Sequence, residues 1–453
     1  MNIIPKLERL IFFLITSSVG YILIYNFYHY SPILGYDAEA HYTYVDYISR
    51  YLPRSIKLPT SLDTREFFNP PLGYFIPAIS QVVCRNIIES ENFLRDCRPV
   101  YGSIAQIFQS LMYIITIYIN LLTLKMFNNS KSILNLSYLI MVSLLAVNYR
   151  TISMIRGEPY ILFFMSIFLY LIFKIENQDF VTQKKDILFL GLIIAGIALS
   201  RQWGFLLFPP LIIMLFTKNI KNKINYLKTW VPSALIGFLL SGWFYINLYI
   251  KSGSFTAFNM ESSKFSIFNQ PLGFYIPTSE NLRYLFYKPI RPHLDNQFIT
   301  TLFADLWGDY WGYFSFTSGY LSIGRDQLAI GDYFARVNII SIFTTLFILT
   351  LYVISYRKNK QSFLVRYINL AVIVSFVGYI VFLISYPVGN GDTIKATYII
   401  QMFHLIVFLA SIKFEKLKSE NLKIYNFIIF AFLIIYIHNF QTFLSHFPAT
   451  LFN

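Results

Sequence analysis

Charge is what this sequence has least of. Only 13% of its 453 residues are Asp, Glu, Lys or Arg, against roughly 25% in soluble domains, which excludes an ordinary water-soluble fold. Cysteine is nearly missing as well. Cys84 and Cys97 are too few for a disulfide scaffold or a zinc site. No stretch repeats another, no Gly/Ser linker interrupts the chain, and no shift of composition marks a soluble domain. The net charge of +14 does not point to nucleic acid. The basic residues sit in short clusters between apolar runs, a pattern that belongs to membrane orientation.

What the chain does have is apolar and aromatic surface, 56% and 19% of its residues respectively. Apolar runs fall at 10–29, 101–124, 132–147, 159–173, 187–200, 203–217, 230–250, 337–356, 367–386, 396–412 and 424–440. They predict an all-α polytopic membrane protein with about eleven transmembrane helices, range about 10–13. The first run is too long for a signal-peptide core and lacks a small-residue cleavage site, so it reads as a retained span. With the N-terminus in the cytoplasm, every short inner loop is basic: Lys6 and Arg9; Lys125 and Lys131; Lys174, Lys184 and Lys185; Lys218, Lys221, Lys223 and Lys228; Arg357, Lys358, Lys360 and Arg366; Lys413, Lys416, Lys418 and Lys423. That is the positive-inside pattern. The remainder is one membrane domain, 1–453, with two long outer loops at 30–100 and 251–336. Long, aromatic-rich loops of this kind read as interfacial helices and as carriers of function. The compact chain without a retention signal points to a bacterial plasma membrane rather than the endoplasmic reticulum.

Gly35-Tyr36-Asp37-Ala38-Glu39-Ala40-His41 follows the first span directly. In a helix starting at Asp37, residues Asp37, His41, Tyr44, Ile48 and Tyr51 share one face, while Glu39, Thr43, Asp46 and Arg50 lie on another. Asp37 and Glu39 therefore would not share a site. A carboxylate at the membrane boundary beside an imidazole suits a general base, and burial would raise its pKa toward a useful range. The alternative is that Asp37 simply caps a helix beginning at Ala38. Further on, Glu66-Phe67-Phe68-Asn69-Pro70-Pro71-Leu72-Gly73-Tyr74 opens a helix at its prolines. The apolar stretch behind them is too short to span, so it reads as re-entrant or interfacial. His41, Glu66, Asn69 and Tyr74 are candidate substrate contacts.

Arg156 and Glu158 stand at the outer mouth of the fourth span, Arg201 ends the fifth, and Lys395 precedes Tyr398 at the opening of the tenth. A lone charge at the bilayer centre costs about 3 kcal/mol or more, so these residues should face the interface or a cavity. Converging cations suit a lipid phosphate, Arg bidentately and Lys as a point charge. The competing explanation is pairing, Arg156 with Glu158 or Lys395 with Asp392. In the second outer loop, Asp305-Leu306-Trp307-Gly308-Asp309-Tyr310-Trp311 sets aromatics around two carboxylates. The rings could stack on a sugar whose hydroxyls the acids bind, or form an aromatic belt at the headgroups.

These residues together resemble the membrane glycosyltransferases of the C-type fold, the group of the protein O-mannosyltransferases and the lipid A aminoarabinose transferase (glycosyltransferase family 39-like). Four features carry the resemblance: Asp37 after the first span, Pro70-Pro71-Leu72-Gly73-Tyr74, Arg98 before the second span, and Lys395-Ala396-Thr397-Tyr398 opening a late one. It covers the first hundred residues closely and the rest loosely, and it rests on motif order and placement. It implies inverting, single-displacement transfer from a polyprenyl-phosphate sugar to a lipid, glycan or protein hydroxyl on the outer side. Asp37 would be the base, with Arg201, Lys395 and then Arg156 around the phosphate. Tyr398, Glu158, Asp305 and Asp309 would join the substrate contacts. No cofactor is required, although Asp37, His41 and a donor phosphate could hold a divalent ion. Three departures stand out. Ala38 follows Asp37 where many relatives have a second acid, Asn69 precedes the prolines where relatives have a basic residue, and the soluble C-terminal domain of some relatives is lacking.

Two other classes use related parts. A transporter or flippase of lipid-linked saccharides predicts charges deep in the spans and interrupted helices in two related halves. A polymerase of lipid-linked saccharides differs in carrying an oligosaccharide on its donor.

Overall fold

The computed structural model of the chain describes residues 3–87, 93–129, 132–216, 222–294, 296–315 and 325–445. Lys131, Lys218 and Lys221, assigned above to inner loops, lie outside these. Among the described residues there is no strand. Helices α1 (Ile3–His29), α2 (Ala38–Tyr51), α3 (Leu72–Ile87) and α4 (Phe93–Phe127) come first, then a bent pair, α5 (Leu136–Ser143) and α6 (Ala146–Ser153). They are followed by α7 (Glu158–Glu176), α8 (Lys184–Ser200), α9 (Pro209–Leu215) and α10 (Lys223–Ser252). The second long loop carries short helices α11 (Leu272–Tyr275), α12 (Ser279–Leu285) and α13 (Phe298–Trp307). Four long helices close the chain: α14 (Arg325–Asn359), α15 (Phe363–Ser385), α16 (Ile400–Glu420) and α17 (Leu422–Asn439).

All eleven apolar runs are helical, but they are not equally long. Among the described residues, eight helices are long and apolar enough to cross a membrane, and the α5–α6 pair, bent by 64°, makes a ninth when read as one broken span. The other two runs are α8, of 17 residues, and Gln202–Leu215, where a 3₁₀ turn precedes α9. The chain is thus an all-α polytopic membrane protein. Three of its apolar helices start where a polar side chain caps the exposed backbone N–H groups of the first turn. Asn135 accepts from Tyr138 N before α5, Ser362 from Val365 N before α15, and Asn421 from Ile424 N before α17.

The first long loop is built on α2 and α3. α3 has 16 residues, roughly 24 Å, and turns Ile79, Val83 and Ile87 outward while Tyr74, Ala78 and Gln81 are buried. The prolines are followed by a helix, as expected, and that split makes it amphipathic. Two covalent or ionic ties hold the layer to α4. Cys84 and Cys97 form a disulfide, and Arg98 bridges Glu39 at 2.9 Å and Asp46 at 2.8 Å. Glu39 is thereby drawn to Arg98. Arg98 is a clamp between helices, with its fork fully engaged.

The tightest glycine contact lies beside the charged cluster. A Cβ built on Gly157 would lie 2.1 Å from the backbone oxygen of Ser200, where α7 and α8 approach at the level of Arg156 and Arg201. Gly157→Ala should therefore cost at least about 1–3 kcal/mol through forced backbone displacement. By contrast Gly20, in open space on α1, should accept Ala with no loss. Thermal unfolding of the two variants in detergent checks the contrast, and equal behaviour would contradict this packing.

Candidate functional site

Residues from both ends of the chain meet where α1 and α8 end and where α7 and the segment before α16 begin. Asp37 sits at the N-cap position of α2, yet its side chain makes no capping hydrogen bond. Its φ of 52° lies in the left-handed region, which an Asp enters at a cost of about 1 kcal/mol or more. The consequence is directional. Asp37 leaves the helix face predicted to carry it with His41, and its carboxylate turns to Lys395 at 3.6 Å and Arg65 at 3.2 Å. The capping alternative is thus set aside.

Tyr36, next to Asp37, organises the cations. Lys395 Nζ lies 5.0 Å and the Arg156 guanidinium 5.2 Å from the centre of its ring, within cation–π range. Arg156 also donates to the Tyr36 carbonyl oxygen at 2.6 Å. Its Nη1 is buried without a hydrogen bond. The suggested Arg156–Glu158 pair does not form; Glu158 faces Arg201 instead, 3.3 Å from its Nε. Lys395 does pair with Asp392, at 3.7 Å, in addition to Asp37.

Arg201 is the more committed cation, because Glu66 stands 3.6 Å from its Nη1 on the other side. All three of these groups are buried. Tyr398, over which Arg201 lies at 5.8 Å and Lys395 at 5.7 Å, stacks on Trp203 with centroids 5.2 Å apart. The cluster of Asp37, Glu66, Glu158 and Asp392 with Arg65, Arg156, Arg201 and Lys395 is therefore balanced, four charges of each sign. It is a neutral mosaic rather than a purely cationic cradle.

The titration behaviour follows from this balance. Burial pushes the Asp37 carboxyl up, but Lys395, Arg156 and Arg65 together outweigh it and hold the group below its ordinary value. The expectation of a raised pKa fails because three cations surround the acid. Glu66 goes the other way, raised by its burial despite Arg201. Burial and the surrounding cations keep His41 well below its ordinary value, so its 4.0 Å approach to Glu66 is not an ion pair. Its tautomer follows from the hydrogen bonds. Asn69 Nδ2 donates to the Tyr74 hydroxyl at 3.0 Å, which leaves Tyr74 to donate to His41 Nδ1 at 2.7 Å. The proton of His41 then resides on Nε2, on the Glu66 side, where it has no hydrogen-bond partner. Asn69 also donates to Glu66, so His41, Glu66, Asn69 and Tyr74 form one buried network.

Asp305 and Asp309 are brought to a different centre. Asp305 lies 3.0 Å and Asp309 3.7 Å from Arg150. Asp305 also accepts from Ala396 N at 2.7 Å, and Asp309 from Phe314 N and Ser315 N at 2.9 and 2.8 Å. Asp305 is bound through both oxygens, Asp309 keeps Oδ1 without a hydrogen bond, and both side chains are buried, so these acids are committed chiefly to Arg150 and to backbone N–H groups. The aromatic-belt reading falls: Trp307 and Trp311 are 2% exposed, their indole N–H groups donating to Thr345 Oγ1 and the Ile394 carbonyl. Arg150 was missed in the sequence, although a charge at the edge of an apolar run was its available signal. It also donates to the carbonyls of Asp305 and Gly308, and so ties the second long loop beneath Lys395. Arg65 was missed because nothing around it in the sequence sets it apart.

Beside the charged cluster runs an apolar furrow of about 500 Å³ between α8, the Gln202–Leu215 segment and α10. Its lining on α10 extends from Tyr226 to Tyr245, roughly 28 Å at helical rise and close to the thickness of a hydrocarbon core. Ala198, three residues before Arg201, lines it too, and the Tyr245 hydroxyl donates to the Ala198 carbonyl.

None of the protein families compared with the chain matches it, and no curated protein does. Among solved structures, the apo crystal structure of the Archaeoglobus fulgidus oligosaccharyltransferase is similar, at a TM-score of 0.47 and 12% identity. The likeness covers 96% of this chain and 56% of that one, so the chain spans little more than half of that protein's length.

The Arg150 centre yields a stability prediction. Arg150→Ala leaves two buried carboxylates without their counter-charge and should cost about 3–5 kcal/mol. A lower unfolding temperature in nanodiscs would be the expected result, and unchanged stability would contradict the assignment.

Proposed function

We propose that this protein is a membrane glycosyltransferase moving a sugar from a polyprenyl-phosphate donor to a hydroxyl acceptor on the extracytoplasmic side. The observation that supports it best is the Asp37 carboxylate held beside Lys395 and Arg156, at the head of an apolar furrow about as long as the bilayer is thick. The furrow suits an isoprenoid chain, the two cations its phosphate, and the carboxylate a hydroxyl proton. The outer-side placement draws on the basic inner loops and on the Cys84–Cys97 disulfide beside the site, since disulfides persist in oxidising compartments.

The geometry suggests how the steps are coupled. Donor phosphate competes with Asp37 for Lys395 and takes up the free Nη1 of Arg156. Arg201, clamped by Glu66 and Glu158, serves as a second line of positive charge. Freed from its cations, Asp37 becomes a stronger base when the donor is in place. The acceptor oxygen then attacks the anomeric carbon opposite the phosphate and its proton passes to Asp37. The carbon–oxygen bond to phosphate breaks, its electron pair staying on the phosphate, and the anomeric configuration inverts. The leaving group needs no acid, because cations stabilise its charge. The reaction as proposed uses no metal.

Release of polyprenyl phosphate from a panel of lipid-phosphate sugars tests the reading. Asp37→Asn should lower it by about 10²–10⁴-fold, whereas wild-type release by this variant would sink the base assignment. No release from any donor by the wild type would favour a transporter or a polymerase. A pH profile adds a second check. The free enzyme's base is active above its pKa, so kcat/KM should hold down to the acid range where Asp37 protonates. Arg65→Ala removes one of the cations that hold that pKa down, so the acid limb should move to higher pH. An unmoved limb would mean that Asp37 is not the titrating group.

A further inference from the structure

On the same side as the charged cluster, the second long loop and the segment before Lys395 enclose a second cavity, of about 320 Å³. That volume is at the small end of the ~300–1,000 Å³ range of small-molecule sites. Its character is unlike that of the neighbouring cluster. Asn269, Gln270, Asn281 and Asn296 line it, with Phe274 and the backbone around Pro387–Gly389, and no lining residue carries a charge.

The carboxamides are pre-set. Asn269 donates to the Ile384 carbonyl at 3.0 Å, Gln270 to the Leu383 carbonyl at 2.7 Å, and Asn296 to Gln270 Oε1 at 3.0 Å. Asn281 Oδ1 accepts from the N–H and hydroxyl of Thr278, capping α12. Three of the four leave polar capacity unused among the described residues: Asn269 Oδ1 and Asn296 Oδ1 as acceptors, Asn281 Nδ2 as a donor.

Two glycines keep the cavity open. Gly273 and Gly389 both line it, neither has a left-handed φ, and a Cβ built on either meets nothing within 4 Å. Backbone conformation and packing thus do not require glycine at either place, while a side chain there has room to extend into the cavity. The cavity is also linked mechanically to the site. A Cβ on Gly391 would be 2.9 Å from Asn296 Cα, and two successive turns, Gly391 N to Val388 O and Ile394 N to Gly391 O, join the cavity wall to Lys395.

We propose that this cavity binds a neutral saccharide unit of the acceptor. Fixed amide donors and acceptors without charge match the hydroxyls of a sugar ring. A phosphate would find no cation here, and a lipid chain would leave the amides unpaired at a cost. The role in transfer rests on the glycosyltransferase reading, but sugar binding by the cavity does not. It narrows the acceptor to a glycan or glycoconjugate.

The test is saturation-transfer NMR on the full-length protein in nanodiscs, with chitobiose, cellobiose, maltose, mannobiose and galactobiose as probes. At least one disaccharide should bind. Gly389→Leu, which fills the cavity, and Asn281→Asp, which keeps the α12 cap but replaces the free N–H, should each weaken binding about tenfold. Asp37→Asn should leave it unchanged. Failure of every disaccharide to bind, or wild-type binding by both cavity variants, would overturn the proposal. Preferential binding of an uncharged peptide in the same cavity would overturn it as well. The two readings fail separately. Sugar binding lost in Gly389→Leu without any transferase activity leaves the cavity assignment standing. Asp37-dependent transfer that Gly389→Leu leaves intact removes the cavity and keeps the reaction.

Discussion

Lys395 stands 3.6 Å from Asp37 and 3.7 Å from Asp392, and much of the molecule is arranged so that this ammonium can be buried. An isolated cation inside a protein loses several kcal/mol of hydration unless opposite charge and polar groups surround it. Tyr36, Trp311 and Tyr398 offer their rings within 5.0–6.0 Å of it, and Tyr379 accepts the backbone N–H of Lys395 at 2.7 Å. Beneath, Arg150 and Asp305 fix the turn through Ala396 N. Each neighbouring charge then needs its own partner, and the chain of pairs runs outward to Arg201, Glu66 and Glu158.

A balanced cluster of this kind is stable empty and responsive when filled. An arriving phosphodiester anion competes with the acids already there, and Asp37 and Asp392, both partly exposed and held on Lys395 only by salt bridges, are the groups most easily displaced. Glu66 and Glu158 are buried against Arg201 and lack that freedom. The strained backbone at Asp37 fits the same picture: the residue is held off its helix in a position that its neighbours dictate, as strained residues at working sites often are.

Much of this was legible in the sequence, for physical reasons that differ from residue to residue. The apolar runs marked every long helix because a span must be uniformly hydrophobic to be inserted. Charges at span ends flagged Arg156, Arg201 and Lys395, since the membrane makes any charge there conspicuous. What stayed hidden was pairing. Whether Arg201 meets Glu158 or Arg156 does depends on the contact of α7 with α8 across Gly157, which no local pattern encodes. The fate of Asp305 and Asp309 depended on Arg150, more than 150 residues away in the chain. The left-handed turn at Asp37 was equally invisible, and it undid the helix-face argument that linked the acid to His41. In the second long loop a motif that looked sugar-like was structural, whereas the scattered amides of the cavity carry no motif at all.

The central claim is that donor phosphate replaces Asp37 on Lys395. A structure of the protein in nanodiscs with a bound polyprenyl phosphate tests it directly. The predicted result is a phosphate oxygen about 2.7–2.9 Å from Lys395 Nζ and from Arg156 Nη1, with the Asp37 carboxylate turned away from the lysine and the isoprenoid chain in the furrow beside α10. A phosphate held elsewhere, with the Asp37–Lys395 pair intact, would contradict it.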